Sequence, residues 1–230
     1  MFPMMFDPTY FIFLMPAMLL AIFAQMRVKT AFARYSSVYA SKGVRAEDVC
    51  RMLLDNFRLY NVRIERVPGN LTDHYDPRTK TLRLSDSVGG SSSIAAIGVA
   101  AHEVGHAVQD KEGYAPLHLR NKLVPVANIG STGAFPLFFL GLFLRIDPLV
   151  NVGILLFSCA VIFHLVTLPV EFDASGRALK LLSSTGALTS DEISGAKSVL
   201  NAAALTYVAA TIMAVLQLLY LLARANGRRN

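Results

Sequence analysis

Long uncharged runs alternate along the chain with segments in which apolar and polar positions recur at short periods. Residues 9–26, "TYFIFLMPAMLLAIFAQM", hold no charge and are long enough to cross a bilayer as a helix. Uncharged runs of similar length cover 123–144, 149–170 and about 201–223. The short "RIDP" between the second and third runs reads as the tip of a helical hairpin. Segment 27–122 has a different pattern. "AEDVCRMLLDNFRLY" spaces Val49, Met52, Leu53 and Phe57 for one face of an amphipathic helix. "VRIERV" alternates at period two and "PGN" then turns the chain. "LTDHYDPRTKTLRLS" predicts a hairpin with "DPRT" at its turn and Leu82 and Leu84 on one side. After "GGSSS", a serine near Ser92 caps a helix over about 94–109. This segment is expected to be helix, small antiparallel sheet, helix.

Composition supports the membrane reading. Hydrophobic residues make up 53% of the 230 and charged residues 17%, against about 25% charged in soluble domains. That is more apolar surface than one soluble core needs. Cys50 and Cys159 form no CxxC pair and are expected to be separate buried thiols rather than a disulfide framework. The net charge of +6 is scattered among apolar runs, which fits membrane topology and not nucleic-acid binding. No Lys or Arg precedes the first run, whereas Arg27, Lys29 and Arg34 follow it, the reverse of a secretory signal. Positive charge stays inside, so 27–122 and 171–200 are expected to face the cytoplasm. The tail charges Arg224, Arg228 and Arg229 oppose this, but the first helix usually dominates.

The expected architecture is a mainly α integral membrane protein with about four transmembrane helices and a small α+β domain on the cytoplasmic face. Its parts are an N-terminal span (1–26), a soluble region (27–122), a transmembrane hairpin (123–170), a further helix (171–200), and a last span with basic tail (201–230).

The chemistry lies in "VAAHEVGHAVQD". Residues i and i+4 of a helix share a face, so His102 and His106 can offer two imidazoles to one metal ion. Glu103 sits about 100° round from His102, where it can take a proton from zinc-bound water. Gly105 leaves room for another element or a substrate to come close. The helix is otherwise small and apolar, so burying these polar groups without partners costs several kcal/mol; a metal removes that cost. Hydrolytic zinc sites usually take three protein ligands and a water. Candidates for the third are His74, His118, His164 and an acidic residue. The most suggestive is Glu171 in "TLPVEFDASGRALKLL", at the start of a new helix after the third run. A hairpin that leaves near residue 123 and returns near 170 brings this carboxylate back to the face of His102 and His106.

"AAHEVGHAVQ" and "TLPVEFDASGRA", separated by a membrane hairpin, resemble the YugP-like neutral zinc metallopeptidases over essentially the whole chain, "DHYDPRTKTLRLS" included. More distantly they are similar to the HtpX and CAAX-prenyl-protease group. The resemblance implies a membrane-anchored zincin that binds zinc through His102, His106 and Glu171, with Glu103 as catalytic base. In the distant group the third-ligand motif resembles glutamate, aromatic, any residue, alanine, aspartate; here the run is "EFDAS", with Ser175 in place of that aspartate. Asp173 is the alternative carboxylate, on a different face of its helix.

Other polar residues carry two readings each. His74 and Tyr75 could stabilise an oxyanion, or His74 could close its hairpin by hydrogen bonds to "DPRT". His164 lies two turns before Glu171 and reads more readily as a neutral helix contact than as an intramembrane functional group. His118 reads as an interfacial residue beside Arg120 and Lys122. Arg177 could bind substrate or pair with Asp173 at i+4. The leading function is a zinc metalloendopeptidase acting on protein or peptide substrates, held as an added strand on the hairpin edge. The alternative is a non-catalytic membrane scaffold or regulator with a structural zinc site, against which an intact Glu103 argues. A protease with its zinc inside the bilayer is excluded, because the motif helix is too short and ends in "DKEG".

Overall fold

The computed structural model describes residues 8–227; Arg228 and Arg229 of the basic tail lie outside that range. The element order is α1 (Pro8–Ser36), α2 (Ala46–Asn56), β1 (Arg63–Val67), β2 (His74–Asp76), β3 (Thr81–Ser85), α3 (Ile94–Lys111), α4 (Ala115–Leu144), α5 (Asp147–Ser184) and α6 (Ser190–Asn226). Four of these helices, α1, α4, α5 and α6, are long and apolar enough to cross a membrane. The chain forms two compact units. Among the described residues, one holds 8–24, His118–Pro169 and 206–227; the other holds Gln25–Leu117 and Val170–Leu205.

The first unit is made of the most apolar parts of the four long helices. They are apolar on all sides, yet Phe13, Leu19, Ile129, Phe143 and Leu155 stand exposed. A helix hydrophobic all round needs an apolar surrounding, and here that surrounding is lipid. Small residues let α4 and α5 approach closely. A Cβ on Gly153 would lie 2.9 Å from the Ala134 carbonyl oxygen and from Phe138. Arg145, with φ 59°, turns the chain between α4 and α5, at the "RIDP" tip.

The second unit has α3 at its centre. Ser93 caps it by accepting a hydrogen bond from the Ala96 amide at 3.2 Å. Ala96, Ile97, Ala100, Ala101, Val104 and Ala107 are completely buried. On α2 the buried face is Val49, Cys50, Leu53 and Leu54, whereas Met52 is exposed. The apolar stripe is therefore rotated from the expected one, because α3 lies on the Cys50 side; the Cys50 Sγ reaches the Ala100 carbonyl at 3.4 Å. Cys50 and Cys159 are both free thiols.

Two expectations change. The sheet is mixed rather than antiparallel: β3 is central, antiparallel to β2 and parallel to β1, in the order β1-β3-β2. Alternation along "VRIERV" marks a half-buried strand but carries no information about its partner. The chain after β1 crosses over before the hairpin forms, and β3 inserts with Thr81, Leu82, Leu84 and Ser85 fully buried. The second change concerns Glu171. No new helix starts there, because α5 runs unbroken through Pro169 to Ser184. Proline removes one N–H and does not end the helix, since the apolar face continues beyond it. Val170, Ala174, Ala178 and Leu182 recur every fourth position and are all completely buried.

Candidate metal centre

Two helices of the second unit bring the site together, and a glycine sets their distance. A Cβ on Gly105 would lie 2.5 Å from the backbone oxygen of Ala174, so α3 and α5 cross with almost no side chain between them. At a second point on α3, a Cβ on Gly98 would lie 3.2 Å from Ala196 on α6. The crossing at Gly105 puts Glu171, one turn before Ala174 on the same face, against the two histidines one turn apart on α3.

The Glu171 Oε2 lies 3.2 Å from His102 Nε2 and 3.7 Å from His106 Nε2. One ligand atom from each of the three residues lies within 4.8 Å of the others. Glu171 and His106 are buried and His102 is nearly so. His102 and His106 meet edge to face with ring centroids 4.7 Å apart. Both rings turn Nε2 to the carboxylate, and both Nδ1 atoms are occupied elsewhere. His102 Nδ1 is 3.1 Å from Ser175 Oγ, and His106 Nδ1 is 2.9 Å from Gln109 Oε1. Histidines that bind a metal through one nitrogen are held in this way by the other. The donor set of two imidazoles and one carboxylate fits zinc. Burial alone would lower the His106 pKa, but the Glu171 hydrogen bond and the Glu103 and Glu171 charges raise it on balance.

Glu103 is 8% exposed, next to His102 on α3. Among the described residues, no hydrogen bond or ion pair engages its carboxylate. Ser175, one turn after Glu171, reaches His102 with its hydroxyl. Asp173 turns away from the histidines: its Oδ2 accepts from Gln109 Nε2 at 2.8 Å and from the Arg177 guanidinium. Arg177 also pairs with Glu112 and lies over the Tyr114 ring, 5.8 Å from its centroid.

The remaining candidates stand apart from this cluster. His74 is exposed on the edge strand β2; its Nδ1 lies 2.9 Å from the Thr72 carbonyl, and Arg83 lies 3.4 Å from its Nε2. The "DPRT" turn is held instead by Asp76, which accepts from the Arg78 amide and the Thr79 hydroxyl. The Tyr75 hydroxyl donates to Asp110 at 2.7 Å, and burial together with that carboxylate pushes its pKa up. His118 and His164 belong to the other compact unit. Gln109 was not anticipated from sequence. The available signal was its position, one turn after His106 on the same face of the helix.

Over residues 10–226 the sequence matches the family described as "Putative neutral zinc metallopeptidase". The chain belongs to this family. A relative in Bacillus subtilis (strain 168), "Putative membrane protease YugP", is 49% identical over 221 residues, which cover 95% of this chain and 98% of the relative. No solved structure matches. Membership covers both helices that carry the cluster, so the histidine pair and Glu171 fall within the matched region.

Proposed function

We propose that the protein is a membrane-anchored zinc-dependent metalloendopeptidase, with His102, His106 and Glu171 as zinc ligands and Glu103 as general base. The observation that carries this reading is the convergence of His102 Nε2, His106 Nε2 and the Glu171 carboxylate in a buried site. Three protein ligands leave a coordination position open, whereas structural zinc sites close with four. When bound, zinc supplies Lewis acidity toward the scissile carbonyl and lowers the pKa of water. Glu103 takes the proton from the attacking water and delivers it to the leaving amine nitrogen. Among the described residues no hydrogen bond or ion pair holds its carboxylate back from this work.

The substrate is a protein or peptide, bound in extended form along β2. Among the described residues no strand pairs with its outer edge in the order β1-β3-β2, and it is tied to the C-terminal half of α3 by the Tyr75–Asp110 hydrogen bond, so an added strand would run beside the motif helix. The second unit faces the cytoplasm, in line with Arg27, Lys29 and Arg34 after the first apolar run. The lipid bilayer and the substrate are the partners of this reading, and nucleic acid is not.

The test is Glu103→Gln in detergent-solubilised, zinc-supplemented protein with casein or a membrane-protein fragment as substrate. The change is nearly isosteric, so zinc content and fold should stay, and cleavage should fall by about 10²–10⁴-fold. A variant that cleaves as well as the wild type, or fully complements a deletion phenotype in cells, would leave the zinc site a structural role and favour a scaffold.

A further inference from the structure

We propose that Gln109 is the positioning residue of the metal centre: its amide fixes the tautomer of His106 and ties the turn that carries Glu171 to the helix that carries both histidines. The inference rests on the reading of His102, His106 and Glu171 as a zinc site.

The logic is one of hydrogen-bond polarity. Gln109 is completely buried. Its Nε2 lies 2.8 Å from the Val170 carbonyl oxygen and 2.8 Å from Asp173 Oδ2. A backbone carbonyl only accepts, and so does a carboxylate paired with the Arg177 guanidinium. Both amide N–H groups therefore point to α5. The Oε1 is left for His106 Nδ1 at 2.9 Å, and because Oε1 can only accept, Nδ1 carries the proton. The lone pair is then on Nε2, the nitrogen that faces Glu171. His102 has no such constraint, since the Ser175 hydroxyl at its Nδ1 can either donate or accept. The two ligand histidines are thus held differently, one in an imposed tautomer and one not.

The same amide also fixes α5. Val170 and Asp173 flank Glu171 in sequence, so the Gln109 side chain grips the helical turn that presents the third ligand. Asp173 is held in turn by Arg177, which reaches Glu112 beyond the end of α3. One buried side chain therefore sets a ring nitrogen and a carboxylate position together.

The experiment uses full-length protein in detergent. Zinc affinity is measured by competition with a chelator, and the visible absorption of the cobalt-substituted protein reports coordination geometry. Gln109→Met keeps a similar volume and removes all three hydrogen bonds. Loss of a partner to a metal-bound histidine typically costs 10–100-fold in affinity, so a fall of about that size with a changed cobalt spectrum is expected, at unchanged helix content. Asp173→Ala leaves the amide pinned by Val170 and should cost less. Gln109→Met with zinc affinity within about 2-fold of wild type and an unchanged cobalt spectrum overturns the proposal, as does a larger loss in Asp173→Ala. If Gln109→Met fails to fold, Gln109→Asn, whose shorter side chain draws the amide back from His106, Val170 and Asp173, decides, and an unaltered affinity and spectrum there overturn it. A wild type that binds no zinc sinks the metallopeptidase reading as well, which separates the two failures.

Discussion

Gly105→Ala should damage the proposed zinc site although residue 105 offers no ligand. The added Cβ would meet the Ala174 backbone oxygen at 2.5 Å, its carbonyl carbon at 3.1 Å and its Cα at 3.2 Å. These are backbone atoms of a buried helix and cannot rotate away. To reach a tolerable contact, α5 must retreat by roughly half an ångström or more, and close-packed interiors pass such strain on. Overpacking of this kind costs about 1–3 kcal/mol, while alanine regains up to about 1 kcal/mol of helix propensity. The net expectation is a loss of up to about 2 kcal/mol. The effect on metal is larger in proportion. Tetrahedral zinc with bonds near 2.0–2.1 Å needs ligand atoms about 3.3 Å apart, and Glu171 Oε2 already stands 3.2 and 3.7 Å from the two Nε2 atoms. Retreat of α5 carries Glu171 out of that range, and zinc affinity should fall by about 10-fold or more. Gly176→Ala is the control. It lies on α5 five residues after Glu171, and a Cβ there meets nothing within 4 Å, so it should keep its zinc and gain up to about 1 kcal/mol. Zinc content after dialysis at fixed free zinc and thermal midpoints with and without chelator give the readout, with Glu171→Ala as the floor for zinc. Wild-type zinc content and midpoint in Gly105→Ala would refute the claim that this crossing sets the site.

The raised His106 pKa makes a prediction with a sign. In chelator-treated protein a raised folded pKa contributes stability below the ordinary imidazole value of 6.5, and this contribution is lost as pH rises through the folded pKa. Zinc needs the neutral ring, so protons compete from above pH 6.5 downward. The zinc-induced rise in thermal midpoint should shrink as pH falls from that point, and a rise that stays constant down to acid pH would contradict it. Membrane orientation is tested by Arg78→Cys, at the tip of the β2–β3 hairpin. An impermeant thiol reagent should label it only after the membrane is opened, and labelling in intact cells would invert the topology.

The long apolar helices and the HEVGH pair were legible in the sequence because they depend on local rules. An uncharged run of sufficient length leaves few alternatives, and two histidines four apart on a helix must share a face. The mixed sheet was not legible, because alternation in "VRIERV" describes one strand and pairing depends on where the chain crosses afterwards. Nor was the continuity of α5 through Pro169, which follows from the burial of Val170, Ala174 and Ala178 against partners distant in sequence. Glu171 stood out in sequence by its place after a hydrophobic hairpin, but its distance to the histidines is set by Gly105 against Ala174. Gln109 shows the limit most clearly. A buried glutamine has four hydrogen-bonding sites whose use depends on what surrounds them, and only the packed structure supplies Val170, Asp173 and His106 together. Sequence determines which groups are on offer at each helix face. Tertiary packing decides which of them meet, because contact between α3 and α5 is a property of two surfaces and of the glycine that lets them touch.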